Sequence, residues 1–120
     1  MVTIKKNNTI IMTRGDTLIA YVDILREDDE QTPYIPEDGD VVRFALKHPK
    51  LKEDGSDYKD TEPIFVKNIP IDTLELEIEP QDTKSLPFGE YVYDVELTYS
   101  TGRVYTFIPP TPFILDKEVH

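Results

Sequence analysis

The chain has no cysteine and no tryptophan, and only two of its 120 residues are histidine. Without cysteine there can be no disulfide, no thiol nucleophile and no cysteine-ligated zinc. That absence suits folding in a reducing cytoplasm. The histidines are His48 and His120, and no Ser-His-Asp set with workable spacing can be drawn from them. Glycine is scarce and scattered: Gly15, Gly39, Gly55, Gly89 and Gly102 stand alone, so no glycine-rich phosphate loop is present. Long apolar runs are also missing. No stretch approaches the ~18 residues of a membrane span. The opening Met-Val-Thr-Ile-Lys-Lys lacks the apolar segment of a signal peptide. Export by a signal peptide and residence in a membrane are therefore not expected.

Positive charge is in short supply. Thirteen Lys and Arg stand against 24 Asp and Glu, a net charge of −11. Nucleic acid needs a basic footprint, and so does an anionic membrane surface. Neither is expected as a partner. The acidic balance favours solubility, or a basic partner.

Strict alternation is the main positive signal. From Tyr91 to Tyr99, one face carries Tyr91, Tyr93, Val95, Leu97 and Tyr99, and the other Val92, Asp94, Glu96 and Thr98. A period of two in aromatic and β-branched residues predicts a half-buried strand. The pattern recurs with Leu18, Ala20, Val22 and Ile24, with Val42, Phe44 and Leu46, and with Leu74, Leu76 and Ile78. Shorter candidates are Thr9–Met12, Ile64–Lys67, Arg103–Ile108 and Phe113–Leu115. The glycines and nearly all of the ten prolines fall between these segments, as ladder chemistry requires.

These patterns predict an all-β protein: an immunoglobulin-like antiparallel β-sandwich of about seven to nine short strands. One domain is expected over residues 1–120, with its core at about 9–115. Ser100-Thr101-Gly102 reads as a tight hairpin, with Gly102 at positive φ. Residues 80–86 have room for one short helical turn. It leads through Gly89 into Tyr91, placed like the corner tyrosine of such sandwiches, whose hydroxyl ties back to upstream backbone. Gly15 punctuates two strands. The polar stretch from Lys47 to Glu62 is expected to be the most mobile, and the tail after Asp116 to fray.

Candidate chemistry is thin. Carboxylates at Asp28, Asp29, Asp38, Asp40, Asp54 and Asp57 could pair for acid–base work, but they sit in loops with no sign of a cleft. Asp38, Asp40, Asp54 and Asp57 offer oxygen ligands for calcium. None fits an EF-hand loop, and turn chemistry is the preferred reading, so no metal or cofactor is expected. Arg14-Gly15-Asp16 spells an integrin-recognition tripeptide, yet its place between two strands favours a turn. Tyr91, Tyr93 and Tyr99 alternate inward as core. Tyr21, Tyr34, Tyr58 and Tyr105 are freer to act as surface contacts.

Three stretches carry a family likeness. They are Ile11-Met12-Thr13-Arg14-Gly15-Asp16-Thr17-Leu18, then Glu37 through Leu46 with its Gly39-Asp40 turn feeding a strand, and then Ile78 through Val95 with the closing Ile108-Pro109-Pro110-Thr111-Pro112-Phe113. Over about residues 9–115 the chain resembles the N-terminal domain of the baseplate upper protein of phages infecting Gram-positive bacteria. The resemblance implies a sandwich serving as a structural piece of a phage or prophage tail or baseplate. Its partners would be other phage structural proteins or further copies of itself. It would sit in the cytoplasm during assembly and afterwards in the virion. The alternative is a carbohydrate- or calcium-binding module of the adhesin type, which would use the loops at one end. An enzyme is not expected.

Overall fold

The computed structural model describes residues 1–49 and 62–117. The expectations for Asp54, Asp57, Tyr58, Gly55 and His120 fall outside the described residues, as does most of the polar stretch 47–62. Among the described residues the regular structure is almost wholly strand: β1 (Val2–Ile4), β2 (Ile10–Thr13), β3 (Leu18–Tyr21), β4 (Val41–Lys47), β5 (Phe65–Ile69), β6 (Glu75–Ile78), β7 (Gly89–Thr98) and β8 (Val104–Asp116). One helical turn, α1 (Pro80–Thr83), precedes β7.

The strands form a six-stranded sheet in the order β1-β2-β8-β7-β4-β5 and a two-stranded sheet of β3 and β6. The large sheet is mixed. β2 runs parallel to β8, pairing Ile10 with Phe113 and Thr13 with Asp116. Its other pairings are antiparallel. The small sheet is antiparallel, from Leu18 opposite Ile78 to Tyr21 opposite Glu75.

The alternation read from the sequence sets which side chains meet between the sheets. Leu18, Val22, Ile24, Leu76 and Ile78 are buried from the small-sheet side. Phe44, Tyr93 and Phe113 face them from the large sheet as an aromatic centre. Phe44 lies flat on Tyr93 at 5.3 Å, and Phe113 meets Phe44 and Tyr93 edge-on at 6.5 and 6.3 Å. Phe44 and Phe113 are fully buried. Each such side chain contributes about 1.5–3 kcal/mol by leaving water, and the offset and edge-on geometry adds to this.

Several elements differ from the sequence pattern. β1 is not among the expected strands, and β3 ends at Tyr21, so Val22 and Ile24 of its alternating set lie beyond it. β8 is one strand of 13 residues, not two short ones, and it runs through Pro109, Pro110 and Pro112. The register jumps from Tyr93 opposite Thr111 to Val95 opposite Ile108. Asp94 alone therefore faces the Pro109-Pro110 pair. A bulge tolerates prolines because no ladder donor is required of them there. β6 begins at Glu75, and Leu74 adopts φ +56° with its N–H bonded to the Pro70 carbonyl at 2.8 Å. The turn after Pro70 consumes the residue that alternation assigned to the strand.

The turn at Gly15 and the corner before β7 pack on each other. Gly15, at φ +86°, donates its N–H to the buried Thr83 Oγ1 at 3.0 Å. Arg14 donates from Nη1 to the Leu86 carbonyl at 3.2 Å and lies 4.0 Å over the Phe88 ring. The Arg14-Gly15-Asp16 segment is thus a tied structural turn. Proline at the start of α1 suits a position with no N–H to satisfy, and Asp82 Oδ2 accepts the Glu79 N–H at 2.8 Å. The Tyr91 hydroxyl then donates to the Pro87 carbonyl at 2.6 Å. No helix among the described residues is long and apolar enough to cross a membrane.

Candidate functional site

Two concave regions stand out. The first is a polar cleft at one end of the molecule, between the segment that follows β3 and the β7–β8 hairpin. It encloses about 740 Å³. Tyr34 and Tyr99 meet edge-on at 5.5 Å inside it. The Tyr34 hydroxyl donates to Asp40 Oδ2 at 2.6 Å. The same oxygen accepts the Glu37 N–H at 2.9 Å, and Oδ1 accepts the Ser100 N–H at 2.9 Å. Gly39 makes this approach possible. It sits at φ +92°, and a Cβ there would lie 2.9 Å from Ser100 Cβ.

The electrostatics follow from these bonds. Burial raises the pKa of Asp40, but the hydrogen bonds from Tyr34, Glu37 and Ser100 outweigh it and hold the carboxyl below its ordinary value. The Tyr34 phenol is pushed up to about 12, first by its bond to Asp40 and then by burial. The arginines of the cleft are also engaged. Arg26 grips Asp28 with two bonds of 2.8 Å. Arg103 pairs with Glu27 and lies 5.0 Å over the Tyr99 ring. Bonds of Asp40 with Tyr34 and Ser100, and of Glu27 with Tyr99 and Arg103, tie the loop to the hairpin across this cleft.

The second region is an apolar groove of about 450 Å³ where the two sheets part. Tyr105, Phe107 and Ile108 of β8 form one wall, Ala20 to Asp23 and Leu25 the other, and Ile4 closes an end. Its geometry comes from pairing. β2 covers β8 at Phe113–Asp116, which leaves the first half of β8 without a neighbour on that side among the described residues. Among the described residues β3 pairs only with β6. The Val22 N–H bonds to the Leu74 carbonyl at 3.0 Å, on the β6 side. The Ile24 carbonyl and Arg26 N–H likewise bond to Tyr34 and Thr32 of the returning chain, at 2.8 and 2.9 Å. Backbone groups along a strand alternate in direction. The N–H groups of Ile19, Tyr21, Asp23 and Leu25 therefore point away from those partners, along a free edge.

The candidate residues separate between these regions. Tyr21 and Tyr105 line the same groove. Tyr21 is 68% exposed and donates to Glu75 Oε2 at 3.2 Å. Tyr34 belongs to the polar cleft, where its hydroxyl is spent on Asp40. Asp38 is exposed in the turn before β4, and both Asp40 oxygens already accept hydrogen bonds. Among the described residues no group of three or more His, Asp or Glu could hold a metal ion. Gly102, at φ +93°, closes the β7–β8 hairpin with its N–H on the Tyr99 carbonyl at 2.8 Å. Gly89 opens β7 at φ +144°. His48 is exposed, with its ring 6.1 Å from that of Tyr91.

Sequence reasoning missed Ile4, Leu25 and Phe107 as groove residues. The readable signal was exposure on the wrong parity: Ile19, Tyr21 and Leu25 are large apolar residues on the outward face of their strand pattern. Comparison of the chain with family models, with curated proteins and with solved structures finds no match.

Proposed function

We propose that this chain is an immunoglobulin-like β-sandwich serving as a non-enzymatic structural or assembly piece of a phage or prophage tail or baseplate, working through protein–protein contacts. Several features support the immunoglobulin-like reading. The second strand runs parallel to the last, β3 and β6 form a separate antiparallel pair, and β7 lies between β4 and β8. The Tyr91–Pro87 bond supplies the corner tie that such sandwiches use.

One observation carries the functional reading. Among the described residues a strand edge lies free beside an apolar groove, with Ile19 57% and Tyr21 68% exposed next to it. Natural proteins protect such edges because they pair readily with other chains. An edge left open beside apolar side chains is a contact surface. The particle setting comes from the resemblance in the stretches Ile11–Leu18, Glu37–Leu46 and Ile78–Val95 with the closing Ile108–Phe113.

The test is to tag the chain in the cell that encodes it, induce particle production and band the particles by density. The proposal expects the chain to co-band with particles in a fixed copy number. A chain that remains wholly in the particle-free fraction, while the particles form normally, contradicts the setting.

A further inference from the structure

We propose that the free edge of β3 and its continuation, from Ile19 to Leu25, docks an extended strand of a different protein whose side chains alternate apolar with basic. This deepens the assembly reading and rests on it.

The N–H groups of Ile19, Tyr21, Asp23 and Leu25 point toward the side where β3 has no neighbour among the described residues. An added strand would satisfy them, and main-chain pairing of this kind supplies affinity without sequence readout. The edge also lacks the usual guards. Leu18–Tyr21 contains no lysine, proline or bulge, whereas β5 carries Lys67 and β8 carries Pro109, Pro110 and the register shifts. Those devices discourage pairing where they occur.

The side chains beside the edge fix the chemistry of the added strand. A strand added at this edge would turn every second residue into the groove, against Ala20, Tyr105, Phe107 and Ile108. Those positions must be apolar. Its other residues would continue the outer face of the small sheet. There Ile19 and Tyr21 stand directly opposite Glu77 and Glu75, and Asp23 follows on the same parity. Among the described residues, Asp23 and Glu30 are the charged residues of the groove lining, which holds no Lys or Arg. Neither makes an ion pair among the described residues. Opposite charges facing across a strand pair are stabilising and like charges are not. A second copy of this chain would bring another net −11 to an acidic rim, so the charge selects a basic partner.

The test uses the full chain and a labelled peptide of about nine residues that alternates Lys with Val and Ile. Its controls are a peptide of the same composition with the lysines blocked together and one alternating Glu with Val and Ile. Fluorescence anisotropy reads binding, and residue-resolved amide exchange reads the site. The alternating basic peptide should bind 1:1, about tenfold tighter than either control. It should slow exchange at Ile19, Tyr21 and Asp23. Asp23→Lys should weaken it about fivefold, while Glu90→Lys, the same charge change on an exposed β7 position, leaves it unchanged. Equal binding by the blocked peptide, equal loss in D23K and E90K, or no protection at Ile19 and Tyr21 would each overturn the proposal. So would a concentration-dependent dimer that protects those amides without peptide, because the occupant would then be a second copy. If the peptide fails while the chain still bands with particles, the groove assignment falls and the assembly reading stands.

Discussion

Asp40 shows how much of this protein's order rests on single side chains. Its carboxylate ties the β4 entry, Tyr34 and the β7–β8 hairpin through three hydrogen bonds. Its folded-state pKa lies below the ordinary value. Stability from this linkage is therefore complete above the unfolded value of about 3.9 and is lost as pH falls through the lower folded value. Asp40→Asn should lower stability at neutral pH by on the order of 1 kcal/mol and flatten the acid limb, as read by urea unfolding between about pH 2 and 6. Tyrosine titrates with the opposite sign. The phenols of Tyr34 and Tyr93 are raised to about 12, Tyr34 by its bond to Asp40 and Tyr93 by burial. What they contribute is complete below about 10 and disappears as pH rises through 12. An absorbance titration should resolve this late-ionising pair, and it should coincide with alkaline unfolding. Tyr91→Phe keeps the buried ring and loses only the bond to Pro87. It should cost about 0.5–1.5 kcal/mol in chemical denaturation.

At the scale of elements, β8 depends on its bulge. Asp94 is buried where the register jumps, and its carboxylate meets Lys47 Nζ at 2.9 Å. Asp94→Ala leaves the half-buried lysine without this partner and should destabilise by about 1–3 kcal/mol, measured by thermal unfolding. Lys47→Met in the same background should recover part of that loss. Much of the strand layout was legible in the sequence because one face of each strand is apolar. Val42, Phe44 and Leu46 alternate cleanly, as do Tyr91 to Leu97, and both sets are buried. The one-turn helix was legible from Pro80 and the polar run after it. The continuity of β8 was not, because three prolines among 13 residues normally argue against a strand. Only the facing bulge, a tertiary feature, makes room for them. β1 escaped as well: Val2–Ile4 is short, and the turn that returns it to β2 relies on Asn8 at φ +70°, a conformation asparagine tolerates but does not announce.

At the scale of the whole molecule, the decisive feature is which strand pairs with which. Nothing local tells β2 to join β8 in parallel and not β3. That choice leaves the small sheet two strands wide and opens the groove beside it. Hence Tyr21 and Tyr105 could be named from sequence as surface tyrosines, while their sharing of one groove could not. Tyr34 looked equally free and is instead committed to Asp40, because the loop that carries it folds back on the hairpin. The most direct measurement is amide hydrogen exchange on the free chain, resolved by residue along β3. The account predicts fast exchange at Ile19 and Tyr21, whose N–H groups face the open edge, with Ala20 and Val22 protected by β6 and the residue before it. Equal protection at all four positions would mean the edge is already covered, and would contradict the account.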